Sequence, residues 1–263
     1  MSDLKTGQTN ERRAFGVRQA WVLMIGFWFI PVAIGFVAAL VWGGVFGVID
    51  GVRQGLGAVE SGDAGMPSIG LGVAVGLGVG AYLIAAGWAV RYVVVRAAGR
   101  LGDRSVRGVG WCSAGGWFYR LAVGLAGLTV VMVWAVGQIP MVHQRGGLVE
   151  EVWGGFARAG WSRWVYGVVF VGVAPLVDEW VFRGGALAAL ASRYRVWVSG
   201  ATVTGCYLVV HAPRELTGVP GFVGIVVLAA VTLWLRVRSG SVRPAMLFHV
   251  VYNVGLVGLA VWR

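Results

Sequence analysis

Residues 19–49 read QAWVLMIGFWFIPVAIGFVAALVWGGVFGVI, 31 consecutive residues without a charged side chain between Arg18 and Asp50. A membrane span needs only about 20 such residues. Four further charge-free stretches, 64–90, 121–142, 216–235 and 244–262, have the same character. Over the whole chain 58% of residues are hydrophobic and 13% charged, against roughly 45–50% apolar and about 25% charged in an average soluble domain. The expected fold is therefore all-α, a polytopic membrane helical bundle of seven to eight transmembrane helices forming a single membrane domain over 1–263. Collagen, a disordered tail, a disulfide-rich secreted module and an ordinary cytosolic enzyme are excluded by the same figures.

The polar start followed by about 30 apolar residues is too long for the apolar core of a cleaved signal and reads as an uncleaved first span. Seven helices are expected, at 20–49, 68–90, 121–140, 164–191, 196–211, 221–236 and 244–262. The first contains Pro31, so it is expected to tilt or kink, or to hide a second short piece that would bring the count to eight. Glycines such as Gly70, Gly72, Gly76, Gly78 and Gly80 are expected to let helices approach closely, since lipid gives apolar side chains no hydrophobic incentive to associate. Cys112 and Cys206 lie far apart with no metal-type spacing and read as small apolar fillers.

Lys and Arg number 22 against 11 acids, a net charge of +11. In a soluble protein that excess would first suggest nucleic acid, but here it follows membrane topology and implies no nucleic-acid partner. Lys5, Arg12, Arg13 and Arg18 precede the first span, and Arg91, Arg96, Arg100, Arg104 and Arg107 follow the second, whereas 50–67 carries only Arg53 beside three acids. The positive-inside rule then places the N-terminus in the cytoplasm of a multi-pass protein of the cell membrane. Arg193, Arg195, Arg236, Arg238 and Arg243 fall on the same face if the spans number seven. On one continuous helix the arginines of 91–107 would form a basic stripe able to lie on anionic head groups. Trp111, Trp117, Trp153, Trp161 and Trp164 sit near span ends, as an interfacial aromatic belt requires.

Ionisable groups inside spans cost roughly 2.5–3.5 kcal/mol each on insertion scales, so each asks for a reason. The fourth expected span holds Asp178, Glu179 and Arg183. Glu179 and Arg183 are four apart and can pair along a helix, while Asp178 is turned about 100° away from that pair. His211 ends the fifth span one turn after Tyr207, and His249 opens the seventh one turn before Asn253. A lone acid–arginine pair can merely pin helices together, and a lone membrane histidine can merely satisfy a packing contact. Three such motifs among so few intramembrane ionisable groups instead supply the parts of a hydrolytic site. A carboxylate with a neutral imidazole can hold and deprotonate water, and a second imidazole with an amide can donate to a developing oxyanion.

These residues resemble the CAAX protease and bacteriocin-processing family, also called CPBP or Abi, of intramembrane endopeptidases. The family pattern is EExxxR, FxxxH and HxxxN or HxxxD, and the chain offers Asp178-Glu179 with Arg183, Tyr207 with His211, and His249 with Asn253. Pro175, the run Phe182-Arg183-Gly184 and the run Arg243-Pro244-Ala245 also match the usual flanks. The likeness covers 164–262; residues 1–163 share only their N-terminal spans and a cytoplasmic basic loop. It implies that Asp178 and His211 activate water, that Glu179 joins them at the site with Arg183 and Tyr207 orienting it, and that His249 with Asn253 forms an oxyanion hole. The implied partners are the lipid bilayer and a membrane-associated protein or peptide substrate, which in the family's best-known branch is a prenylated CAAX protein. Asp178 stands where the family has Glu and Tyr207 where it has Phe. The shorter acid moves a general base by about an ångström, which can cost on the order of 10²-fold in rate unless the site closes up or Glu179 takes over.

A metal-free mechanism is expected, with no cofactor, because no HExxH arrangement exists. Two histidines and a carboxylate do match the ligand count of a catalytic zinc site, and His211, His249 and Glu179 would then be its ligands. The alternatives to a protease are a non-catalytic scaffold or immunity protein that keeps the fold, and a small transporter using the polar groups as a proton or ion relay. Straight helices would set His211 about 22 Å from residue 196 but His249 only about 8 Å from residue 244. Breaks or tilts at Pro175, Pro213 and Pro244 are therefore expected.

Overall fold

The computed structural model describes residues 16–34, 37, 68–139, 164, 167–215 and 218–261. Among them the structure is helical, with no strand. Helix α1 covers Val17–Ile34, α2 Ser68–Arg96 and α3 Gly116–Gly137. Helix α4 is a composite: a π-helical turn Val169–Val173, an α segment Ala174–Glu179, a second π-helical stretch Trp180–Ala186 and a last α turn Leu187–Ala191. Helices α5 (Val196–Glu215), α6 (Val219–Ser239) and α7 (Arg243–Val261) follow.

Among the described residues four helices are long and apolar enough to cross a membrane: α1, α2 over Gly76–Arg96, α3 and α6; Val196–His211 of α5 is a shorter apolar helix. The architecture is a helical membrane bundle. Its seven helices fall in the seven expected segments, with α2 running on to Arg96, α3 starting at Gly116 and α5 reaching Glu215. The second short piece expected near 38–49, the connection 50–67, and Trp153 and Trp161 lie outside the described residues.

Helix α4 is central. Helix α7 packs against its 169–179 part as well as against α3 and α6, while α5 packs against its 180–191 part and against α6. Local chemistry explains its irregular start. Pro175 has no N–H and its ring crowds the preceding turn, and the chain responds by widening: the N–H of Ala174 reaches back five residues to the carbonyl of Val169. A π-turn absorbs the proline without a break. Pro213 likewise lies inside α5, and Pro244 lies in the first turn of α7, where its missing N–H costs nothing. The expected breaks at these three prolines are absent.

Among the described residues, close packing falls at other glycines than the run: a Cβ on Gly76, Gly78 or Gly80 would meet none of them, whereas one on Gly26 would run into the Trp88 ring, one on Gly224 into Tyr252 and one on Gly255 into Val130. The surroundings of Gly70 and Gly72 lie outside the described residues. Gly26 meets Trp88 and the next residue, Phe27, meets Tyr82 six residues earlier in α2, so α1 and α2 run antiparallel and Val17 and Arg96 lie at the same end, on one face of the bundle.

On that face the chain leaves helix at Arg96, makes a short 3₁₀ turn at Ala98–Arg100 and continues as an irregular loop to Gly115. The arginines of 91–107 are therefore divided between a helix end and a loop, and the continuous stripe expected for them does not form. The loop is fastened to the turn between α6 and α7: Val242 N–H donates to Gly110 O at 3.0 Å and Ser241 Oγ to Cys112 O at 2.5 Å. Gly240 ends α6 in the left-handed region, φ +68°, its N–H returning to Arg236 O, the usual use of glycine just past a helix.

Candidate active site

The α segment of α4 ends on Asp178 and Glu179, and the second π-helical stretch carries Arg183. Glu179 and Arg183 are fully buried, and Asp178, His249 and Asn253 are nearly so. Glu179 divides its carboxylate: Oε2 lies 3.3 Å from Arg183 Nε and Oε1 lies 3.1 Å from His249 Nδ1. Arg183 also donates from Nη2 to the carbonyl of Ala229 on α6 at 3.2 Å. The pair expected from the spacing is present, and its second duty, holding α7 through His249, is one that spacing does not show.

Asp178 points to the other flank. Its Oδ2 lies 3.8 Å from His211 Nε2 on α5. His211 Nδ1 lies 2.9 Å from the carbonyl of Tyr207; a carbonyl only accepts, so Nδ1 carries a proton and Nε2 is the ring nitrogen turned toward Asp178. The shorter acid therefore still reaches the histidine. Tyr207 links the two halves. Its ring lies between His211, with centroids 4.1 Å apart, and the Arg183 guanidinium, 4.3 Å from the centroid. Stacking and a cation–π contact fix both side chains at once.

Asn253 donates from Nδ2 to the carbonyl of Phe170 at 2.8 Å. This amide ties α7 to the first π-turn while its i–4 neighbour His249 meets Glu179.

Two residues outside the expected set complete the surroundings. Trp28 on α1 presents its ring edge-to-face to His211, with centroids 5.5 Å apart. Arg236, expected as a charge on the cytoplasmic face, is instead fully buried. Its Nε donates to Arg183 O at 3.2 Å, and its Nη2 to Ser105 O at 3.1 Å and Gly108 O at 2.6 Å. It thereby ties the loop to the backbone of the site. No sequence signal marks Trp28, one apolar residue among many. Arg236 had one, being a cation inside the last turn of an apolar helix, but its neighbour Arg238 gave it the look of a boundary charge.

Among the described residues no three His, Cys, Asp or Glu side chains come together so as to hold a metal ion. His211, His249 and Glu179, the conditional zinc ligands, are not gathered as a ligand set: Glu179 is committed to Arg183 and His249, while His211 faces Asp178.

The class of protein is thus a membrane helical bundle whose central helix carries two buried carboxylates, each faced by a histidine from a neighbouring helix. Residues 160–255 match the family model described as Type II CAAX prenyl endopeptidase Rce1-like, and that stretch contains every residue from Asp178 to Asn253 discussed above. This is the family that the three motifs resemble, and the match supports a CAAX-type intramembrane endopeptidase as the general class. No curated protein and no solved structure matches the chain.

Proposed function

We propose that the chain hydrolyses a peptide bond of a membrane-associated protein, with Asp178 and His211 activating the water. The observation that carries this is the 3.8 Å between Asp178 Oδ2 and His211 Nε2. Two acceptors at that separation are too far apart for a direct hydrogen bond, and close to the spacing of about 4–4.5 Å at which one water donates to both. A water held there has its oxygen polarised by a carboxylate and its proton aimed at an imidazole lone pair. General-base assistance of this kind is worth about 10²–10⁴ in rate.

Glu179 has a different part. Its oxygens go to Arg183 and His249, so it positions these groups and does not meet the water. Because Glu179 accepts from His249 Nδ1–H, His249 can donate from Nε2 only as imidazolium. With that proton the buried groups Asp178, Glu179, Arg183 and His249 sum to zero charge, which removes the cost of a net charge in a low-dielectric site. An imidazolium Nε2–H and the remaining amide N–H of Asn253, one turn apart on α7, are the donors for the oxyanion of the tetrahedral intermediate. The reading places the N-terminus in the cytoplasm, since Arg18, Arg96 and the loop after α2 share one face of the bundle.

The test is cleavage of a prenylated peptide with a free C-terminus in vesicles containing the full-length chain. His211→Ala should lower the rate by about 10² or more at unchanged expression, and Glu179→Gln should lower the rate per folded molecule, since it also removes a buried counter-charge. Asp178→Glu should retain cleavage and Asp178→Asn should lose it. Full activity in both His211→Ala and Glu179→Gln sinks the proposal.

A further inference from the structure

Two guanidinium groups meet at the membrane face without an acid between them. Arg104 in the loop donates from Nη2 to Ser113 O at 3.1 Å, and Arg243, first residue of α7, lies with Nη1 3.4 Å from Ser113 Oγ. Arg243 also covers the ring of Trp111, 4.8 Å from the centroid, and its Nε–H is buried with no acceptor among the described residues. No carboxylate pairs with either arginine among the described residues. Asp103, next in sequence, spends its two oxygens on the N–H and hydroxyl of Ser105.

Like charges converging on one serine repel each other, and a buried N–H without an acceptor is costly. An anion with several acceptor oxygens relieves the repulsion by accepting from the guanidinium ends. The helix ends add to the same potential: α7 begins at Arg243, and α3 begins at Gly116 behind Gly115, which offers no side-chain cap. Trp111, under Arg243, and Trp117, in the first turn of α3, are both exposed, as aromatic residues at the lipid head-group level are. We propose that Arg104, Arg243 and Ser113 form a binding site for the phosphate of an anionic membrane lipid. The lipid adds a bridge between the loop and the first turn of α7 beside the Arg243 contacts with Ser113 and Trp111.

The experiment is native mass spectrometry of the full-length chain titrated with phosphatidylglycerol, with phosphatidylcholine, inorganic phosphate and a short peptide with a free C-terminal carboxylate as competitors. Phosphatidylglycerol should be retained, and Arg104→Gln and Arg243→Gln should each weaken it about tenfold. The exposed pair Arg91→Gln with Arg96→Gln, equal in charge removed or greater, should change it less than twofold. Arg104 is exposed, so its replacement leaves the fold intact, and Arg104→Lys should recover part of the loss. Equal weakening by the α2 pair overturns the proposal, because binding is then general to a basic surface. Displacement by inorganic phosphate or by the peptide at the concentration of the lipid also overturns it, since the anion is then not a lipid phosphate.

Discussion

Asn253 on α7 donates its side-chain amide to the carbonyl of Phe170 at 2.8 Å, and the reason lies five residues further along α4. In π register the donor to Phe170 O would be the N–H of residue 175, and residue 175 is proline. The N–H of Ala174 goes to Val169 instead. Asn253 thus donates to a carbonyl whose π-register N–H is missing, which is one structural reason for an amide one turn after His249. Asn253→Ala should lower stability by about 1 kcal/mol, the net worth of one part-buried hydrogen bond. Adding Pro175→Ala, which restores an N–H to the helix, should recover part of that loss in a thermal or denaturant unfolding measurement. If Asn253 also donates to the oxyanion, cleavage stays low in the double variant while stability returns.

The Glu179–Arg183 pair predicts a second non-additive result. Both side chains are fully buried, and each is the other's counter-charge. Removing one partner of a buried pair costs about 3–5 kcal/mol, because the remaining charge has no water to return to. Arg183→Met alone and Glu179→Gln alone should each destabilise strongly. The double variant should be less destabilised than the sum, and an additive result in the unfolding midpoints would show that the pair is not coupled.

Helix positions and the pairing of Glu179 with Arg183 were legible in the sequence, because charge-free length and i,i+4 spacing are local properties. The association of Asp178 with His211 followed from motif resemblance and not from spacing, since it joins different helices. What stayed hidden depends on backbone register and tertiary contact. Neither π-turn has a periodic signature, yet the one at Val169–Val173 determines what Asn253 does. Composition does not tell which helix face has a neighbour: among the described residues the close approach of α1 to α2 falls at Gly26 under Trp88 and not at the glycine run 76–80. Arg236 was misread because a helix end in sequence need not be a surface in space.

Asp103 gives a pH prediction for the loop. The N–H and hydroxyl of Ser105, first the backbone donor and then the side chain, hold its carboxylate below its ordinary pKa of 3.8. A depressed folded-state pKa contributes stability that is complete above the unfolded value and is lost as pH falls through the folded one. The Ser105 carbonyl accepts from Arg236, so the loss should loosen the loop first. Modification of Cys112 by a membrane-impermeant thiol reagent, followed after brief acid exposure, should rise below about pH 4. Asp103→Asn should show the raised reactivity already at neutral pH.

Arg236 is the strongest test of how the loop is tied to the site. Its donors meet Arg183 O, Gly108 O and Ser105 O, and Gly110, at φ +75°, lets the loop backbone pass against the guanidinium. Arg236→Met leaves at least two buried carbonyls without their donor, which should cost about 2–5 kcal/mol. Gly110→Ala should cost about 1–2 kcal/mol for the left-handed backbone alone, and more if the guanidinium has to shift. Either change should speed Cys112 labelling, because Cys112 leans on Gly110 O and Gly240 O in the same turn. A purely local effect would stop there. Since Arg236 holds the carbonyl of the residue that clamps Glu179, Arg236→Met should also lower kcat for the vesicle-bound prenylated peptide more than it raises KM, and Arg236→Lys should restore part of kcat. Unchanged kcat in a variant whose loop is demonstrably released would show that the π-helical stretch keeps its shape without the clasp.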